Sequence, residues 1–540
     1  MEGSKATPFD VAVVGLGPVG AAAAQLLARE GLAVLAIEPN RAPYDKPRAI
    51  GIDHESLRLL QAIGLADEVA PILGAYAPSE YRSASGALLR RIVPQPEPHP
   101  FSWPPYATFV QPQLEAILRA GLDRWPTLQP AFGEHVASLQ QTAAGVQLTL
   151  ADDEGSTREA TARYVVACDG ARSPIRESLG LGLEDLDFDE PWLVVDVLVN
   201  DGARLPDTIV QYCDPARPAT YIAGPGMLRR WEIMLLPGED PVKMTEQDVV
   251  WALLSPWLTS DQGQIWRAAT YRFHALVGRR WREGGVFLAG DAAHQTPPFM
   301  AQGLNQGLRD AGNLCWKLGQ VLRHGASPGL LDSYEAERLP NARAVIALTK
   351  QLGRLICERD PISAAERDRG MAAEVAAGRG EIVRQNLLPP LTGGFLKTAA
   401  DGGHRPGVGT LLPQPMVVLA NGELRRMDDA LNARFLLIAP PDWRPNAAER
   451  VAARRLGLTF ACLGSTSPDP AVTPICERDP LIADWMRRHE AIAVVVRPDR
   501  VIFSVARAGE DVGGLIVSLD AELALTAADG IACEAPTNTT

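Results

Sequence analysis

Short apolar runs closed by glycine and followed by a helical period organise the first half of the chain. Residues 10–14 (DVAVV) form a β-branched run, Gly15-Leu-Gly-Pro-Val-Gly20 follows, and residues 21–29 are an alanine-rich helical stretch. A second apolar run at 33–37 then ends on Glu38. The same grammar returns at 286–289, a buried strand closed by a turn at Gly290-Asp291 and followed by the rigid pair Pro297-Pro298 and a helix beginning near Gly303. A helix starting there directs free backbone N–H groups and the positive end of its dipole at whatever lies in front of it, which suits an anion.

Between 186 and 275 the period changes from helical to alternating. The runs 192–199, 208–212, 220–223 and 230–236 read as an antiparallel sheet with one covered face, an insert suited to be a substrate platform. Residues 78–106 are proline-rich and read as irregular, 146–150 and 163–167 read as strands, and 341–388 reads as helical. From 388 to 409 proline and glycine break the pattern, and beyond it strands at 434–438, 491–496 and 501–505 alternate with helices. The expected division is a discontinuous nucleotide-binding domain (1–77, 105–185 and 276–345), a β-sheet domain (78–104 and 186–275), a helical segment (346–390), a linker (391–409) and an α/β tail (410–540).

A length of 540 residues exceeds what one hydrophobic core serves, in keeping with that division. A net charge of −13 argues against nucleic acid or an anionic membrane as partner. The amino terminus has no apolar core of signal-peptide type and no run is long enough to span a bilayer, so a cytoplasmic location is expected. Seven cysteines (168, 213, 315, 357, 462, 476, 533) are scattered without a close pair, which predicts reduced, inert thiols and no metal site.

The chemistry concentrates at the glycines. G-x-G-x-x-G between a strand and a helix, with an acidic residue ending the next strand, is a dinucleotide site: Gly15 makes the tight turn, Gly17 admits a pyrophosphate beside Pro18, Gly20 packs helix on strand, and Glu38 accepts from a ribose. That unit alone does not choose between FAD and NAD. Arg48 lies on an extended segment entering a helix capped by Asp53. The strand ending at Cys168 runs into Asp169-Gly170, with Arg172 and Arg176 where a phosphate could lie.

Taken together, the glycine motif with Glu38, Arg48, the Gln111-Pro-x-Leu-Glu115 segment, Asp169-Gly170 and Gly290-Asp291 resemble the group A flavoprotein aromatic hydroxylases, from residue 8 to about residue 345. The resemblance implies an α/β fold: a Rossmann-type FAD-binding domain, an inserted, mostly antiparallel substrate sheet, and a thioredoxin-like tail without Cys-x-x-Cys that is structural or an oligomer contact, a homodimer being possible. It implies tightly held FAD, NADH or NADPH as co-substrate, O2, and hydroxylation of 3-(3-hydroxyphenyl)propionate or a similar phenol ortho to its hydroxyl through a flavin C4a-hydroperoxide. Gly15, Gly17, Pro18, Gly20 and Glu38 would hold the ADP part. Arg48 and Gln111 would reach the pyrophosphate and ribityl region, Gly290 and Asp291 the ribityl hydroxyls, and Asp169 and Gly170 both nucleotides. Gly303, Leu304 and Asn305 would face the flavin ring, and Pro297, Pro298 and Phe299 would shelter the substrate.

His54 and His294 are candidate general bases, with Pro298 also near the chemistry; Arg217, Arg229 and Arg230 are candidates for a substrate carboxylate. Ala301-Gln302-Gly303 departs from the Gly-Gln-Gly of many relatives. Two other readings remain: a hydroxylase of larger phenols or of polyketides and quinolones, and a flavin-binding redox sensor or non-oxygenating flavoprotein. A halogenase would carry W-x-W-x-I-P and a redox sensor a cysteine pair; neither is present.

Overall fold

The computed structural model describes residues 9–201, 203–399 and 402–523; the amino-terminal residues 1–8 and Cys533 lie outside the described residues. Strand Phe9–Val14, helix Pro18–Arg29 and strand Val34–Glu38 form the expected βαβ unit. Phe9–Val14 pairs in parallel with Val34–Glu38 on one side and with Thr157–Ala167 on the other, and Thr157–Ala167 pairs in parallel with Val286–Leu288. Val14, Ala167, Leu288 and Ile37 sit in register, so the glycine loop, Asp169-Gly170, Gly290-Asp291 and Glu38 all leave the carboxyl ends of adjacent strands. That edge of an open parallel sheet is where α/β proteins bind ligands. Two further strands, Glu134–Thr142 and Gly145–Asp152, complete an eight-stranded sheet as an antiparallel meander.

The second sheet has nine strands and is mostly antiparallel, with Leu183–Val199 and Gly263–Gly278 as its long central pair. Residues 78–106 differ from the irregular segment expected: Ser79–Ser83 and Leu88–Val93 are strands of this sheet, the first pairing in parallel with Ile209–Cys213. Ser79, Tyr81 and Ser83 are buried and the residues between them are less so; the period-2 pattern is there but carried by polar residues. One face packs on helix Gln247–Leu254 through Leu193, Val195, Tyr221, Trp231 and Ile233. The opposite face turns toward the parallel sheet.

Helix Gly303–Arg323 packs on helix Pro18–Arg29, helix Asp332–Ile356 packs on strand Gly263–Gly278 of the second sheet, and Pro361–Ala376 follows. The helical reading of 346–390 needs correction beyond that point, because Glu381–Val383 is a strand, parallel to Leu88–Val93 at the outer edge of the nine-stranded sheet. Residues 391–409 bury Leu391, Phe395, Leu396 and Val408, and their backbone bonds to Ile502 and Phe503. The tail contains a five-stranded mixed sheet, with Phe435–Ala439, Leu458–Leu463 and Val472–Ile475 parallel and Ala493–Val496 and Ile502–Ala506 antiparallel. Buried ion pairs join it to the rest: Arg497 donates to both Glu337 oxygens at 3.0 and 2.8 Å, and Arg58 to Asp428 at 2.8 Å. Among the described residues no helix is long and apolar enough to cross a membrane, no His, Cys, Asp and Glu group could hold a metal, and the six cysteines are free.

Candidate active site

The glycines at the strand ends divide into those that pack and those that face open space. A Cβ at Gly20 would stand 1.8 Å from the Gly15 carbonyl oxygen, and one at Gly15, whose φ is +88°, would stand 2.5 Å from the Cys168 oxygen. At Gly17, Gly170 and Gly303 no protein atom lies within 4 Å of the Cβ position. Helices Pro18–Arg29 and Gly303–Arg323 both start without a side-chain cap, leaving their first N–H groups free toward that space. Glu38 accepts from Leu16 N–H at 2.8 Å and from Asn40, which fixes the loop and leaves lone pairs for a ribose. Asp169 Oδ2 accepts from Ile175 N–H at 3.1 Å, while its Oδ1 makes no hydrogen bond although Ser173 stands near. Burial raises the Asp169 pKa, as it does that of Asp291, whose carboxylate is open to solvent on one side and feels His294 and Arg48 on the others. Two donor-rich helix starts, three open glycine faces and acidic groups at the carboxyl ends of adjacent strands fit FAD.

Gln111 fixes the segment that carries Arg48. Gln111 Oε1 accepts from Ala49 N–H at 2.5 Å and its Nε2 donates to Glu115 at 2.6 Å, holding the extended segment on which Arg48 stays half exposed. Arg230 is not available to a substrate: it donates to Asp196 at 2.8 Å and to the Arg48 carbonyl at 2.6 Å, while Arg267 reaches the Pro47 carbonyl. Arg217 pairs with Glu239 and Arg229 with the carbonyls of the 224–228 turn, so all three expected arginines are engaged within the protein.

His294 is corrected in the same way. Its Nε2 bonds Asp310 at 2.7 Å, its ring stacks on Trp281 at 5.2 Å, and Asp310 also accepts from Arg338, so this imidazole is interior framework. Burial would raise Asp310, but His294 and Arg338 hold its pKa low. His54 is buried against Phe101 at 4.4 Å, and burial lowers its pKa to about 4, which makes it neutral and a weak base. It lines a cavity of about 430 Å³ between helix Gly303–Arg323 and the tail. Phe299 points into Phe188, Trp192 and Phe273 (5.7–6.2 Å) and braces the loop. Pro297 is buried, and the Pro298 carbonyl accepts from Ala301 N–H at 2.7 Å. Ala301 adopts φ +48°, where a glycine would be unstrained. Asn305 donates to the Ala301 carbonyl and accepts from Asp53 N–H and Ser56, so its side chain stitches three segments at the helix start.

On the free face of the nine-stranded sheet, register places Val194, Glu232, Thr220, Gln211 and Tyr81 in one row. Arg230, two residues from Glu232, reaches the Arg48 segment from the same face, so the row looks toward the cofactor side. Glu232 is buried, has no hydrogen-bond or ion-pair partner among the described residues, and burial raises its pKa against the pull of Arg230. Sequence reasoning passed over it, although its place in the alternation Arg230–Met234, out of phase with Trp231 and Ile233, marks a charge on a covered face. At the far end of the row Arg384 is buried, donating to the carbonyl of Met300 and, at 3.2 Å, to the Tyr76 hydroxyl. Nothing in its local sequence distinguishes that arginine from a surface cation.

Residues 8–349 match the model of a family described as FAD binding domain, and residues 409–521 match one described as HcaD C-terminal domain. A protein of Burkholderia vietnamiensis (strain G4 / LMG 22486), 3-(3-hydroxy-phenyl)propionate/3-hydroxycinnamic acid hydroxylase 2, is 37% identical over 515 residues, covering 91% of this chain and 92% of its own. The chain belongs to the FAD-dependent aromatic hydroxylases. Another hydroxylase named for 3-(3-hydroxy-phenyl)propionate and 3-hydroxycinnamic acid, from Escherichia coli (strain K12 / DH10B), is 33% identical over 522 residues, 92% of this chain and 91% of its own. Among solved structures, the aklavinone-11 hydroxylase complex with FAD and aklavinone superposes with a TM-score of 0.77 at 26% identity over 97% of this chain and 100% of that one. The flavin-dependent monooxygenase PieE shares the fold, with a TM-score of 0.81 at 22% identity over 96% and 100%. Membership gives the enzyme class: this chain is an FAD-dependent aromatic monooxygenase.

Proposed function

We propose that this hydroxylase converts 3-(3-hydroxyphenyl)propionate, or a phenol of the same size, to the corresponding catechol, consuming NADH or NADPH and O2 and releasing oxidised nucleotide and water. The reading is supported by the open glycine faces and uncapped helix starts at the parallel strand ends, together with a buried, unpaired carboxylate, Glu232, on a sheet face that Arg230 ties to the Arg48 segment. The 37% identity to a relative named for that substrate favours a small phenol over a polyketide.

Gly15, Gly17, Pro18, Gly20 and Glu38 hold the ADP part of FAD, Arg48 and Gln111 the pyrophosphate and ribityl region, and Gly290 and Asp291 the ribityl hydroxyls. Asp169 and Gly170 serve FAD and the visiting nucleotide. Bound FAD supplies the electron transfer from the nucleotide and the activation of O2 that places one oxygen atom on the ring carbon ortho to the hydroxyl. The N–H groups at Gly303, Leu304 and Asn305 stabilise negative charge at the ring edge, by analogy with oxyanion holes roughly 3 kcal/mol per donor. Glu232 accepts the phenol proton, which enriches the ring for electrophilic attack; a positioned base of this kind contributes about 10²–10⁴-fold. The Pro297–Met300 loop, braced by Phe299, excludes water.

The purified protein is expected to be yellow, to consume NADH or NADPH faster when 3-(3-hydroxyphenyl)propionate is added, and to yield the catechol in step with O2 loss. A protein that binds FAD but forms no hydroxylated product from any phenol in air contradicts the reading.

A further inference from the structure

Arg384 is a full cation in the interior with no carboxylate paired to it among the described residues. Its side chain is 6% exposed, and among the described residues no carboxylate lies within ion-pair distance. The one carboxylate within electrostatic reach, Asp53, is spoken for: it pairs with Arg309. The guanidinium is instead held by neutral groups, the Met300 carbonyl, the Tyr76 hydroxyl and the faces of Tyr106 at 4.2 Å and Tyr76 at 5.6 Å. Arginine does not escape burial by losing its proton, so a buried and unpaired guanidinium is costly unless a ligand supplies the countercharge.

Its position says which ligand. Met300 belongs to the loop that shelters the substrate, and Tyr81, the last residue of the polar row, lies within electrostatic reach of Arg384. Glu232 and Tyr81 are separated by three strand spacings, on the order of 14 Å of sheet. A phenol whose hydroxyl meets Glu232 therefore extends its substituent along Thr220 and Gln211 toward Arg384. The strand Glu381–Val383 fixes the approach of Arg384 from the sheet edge, and the contact to Met300 fixes its end.

We propose that Arg384 is the carboxylate anchor of the substrate site, pairing through its planar fork with the acid group of an arylalkanoate while the phenol lies at the Glu232 end. The proposal rests on the hydroxylase reading and adds the residue that selects acids over neutral phenols. Arginine matches a carboxylate in two parallel bonds, which lysine cannot reproduce.

The test compares 3-(3-hydroxyphenyl)propionate with 3-propylphenol, which has a similar ring and chain but no acid, by calorimetric Kd on the FAD-loaded enzyme and by kcat/KM. Wild type is expected to bind the acid at least about tenfold more tightly, and Arg384→Gln to weaken the acid by roughly 10–100-fold, the size of charge-assisted hydrogen bonds, while 3-propylphenol changes by less than about threefold. Arg384→Lys, which keeps the charge, is expected to fall between them and serves if the glutamine variant does not fold. Equal affinity of wild type for both compounds, or equal losses for both in the variants, overturns the anchor and assigns Arg384 to holding the loop. In that event continued hydroxylation of 3-propylphenol leaves the hydroxylase reading standing, whereas an FAD-loaded wild type that hydroxylates neither compound overturns that reading and the anchor with it.

Discussion

Single residues in this chain separate packing from binding. Gly17 and Gly20 belong to one motif, yet a methyl group at Gly20 meets a backbone oxygen and one at Gly17 meets nothing. Gly17→Ala is therefore expected to leave the apoprotein's melting temperature within a few degrees, since an exposed Gly-to-Ala change moves stability by at most about 1 kcal/mol, while weakening FAD binding at least tenfold in a fluorescence titration. Unchanged FAD affinity would show that no pyrophosphate approaches this loop. Glu232 carries a different kind of expectation. Because burial raises its pKa above the usual 4.5, activity that depends on its carboxylate form should fall on the acid side at a higher pH than an exposed glutamate would allow. Glu232→Gln is expected to lower kcat by about 10²–10⁴-fold and to remove that acid limb, with substrate affinity little changed. A variant with full kcat and the same limb would place the base elsewhere. The same paragraph of chain shows why only part of the site was legible: glycines and acids at strand ends declare themselves by spacing, whereas Glu232 needed the phase of a strand and Arg384 needed the whole fold.

At the level of elements, helix Asp332–Ile356 does more than cover the sheet. Its Glu337 is fully buried between Arg497 and Lys317, and although burial opposes ionisation, Arg497 and Lys317 hold its pKa at about 2. Lys317 is pulled down to about 8 by burial and Arg497 despite Glu337, so Arg497, with two bonds, is the stronger partner. Asp428, held at about 2 by Arg500 and Arg58 against burial, forms a second link of the same kind. For a carboxylate whose folded pKa is depressed, the stabilisation is complete above its unfolded value and is lost as protons bind the unfolded state first. Stability is thus expected to decline as pH falls from about 4.5 toward 2, and the neutral His54 adds a decline from 6.5 toward about 4. Melting curves across this range check the sign; Glu337→Gln should cost about 3–5 kcal/mol at neutral pH by leaving two cations uncompensated, and should flatten the acid decline. None of these pairs could be read from the sequence, because Glu337, Arg497 and Asp428 come from segments whose neighbours in space lie far along the chain. The strands at 79–83 and 381–383 were missed for a related reason: their hydrogen-bonding partners, and not their own composition, make them strands.

Across the whole molecule, the FAD-binding family match ends at residue 349, but the nine-stranded sheet does not end there. Its outermost strand, Glu381–Val383, returns from beyond the long helices to lie along Leu88–Val93. A fragment stopped at the dinucleotide-binding match would expose the backbone donors and acceptors of Leu88–Val93 as an open template, and such edges recruit other chains. Residues beyond the match thus cover the Leu88–Val93 edge, and a version lacking them would offer that strand for pairing with another chain.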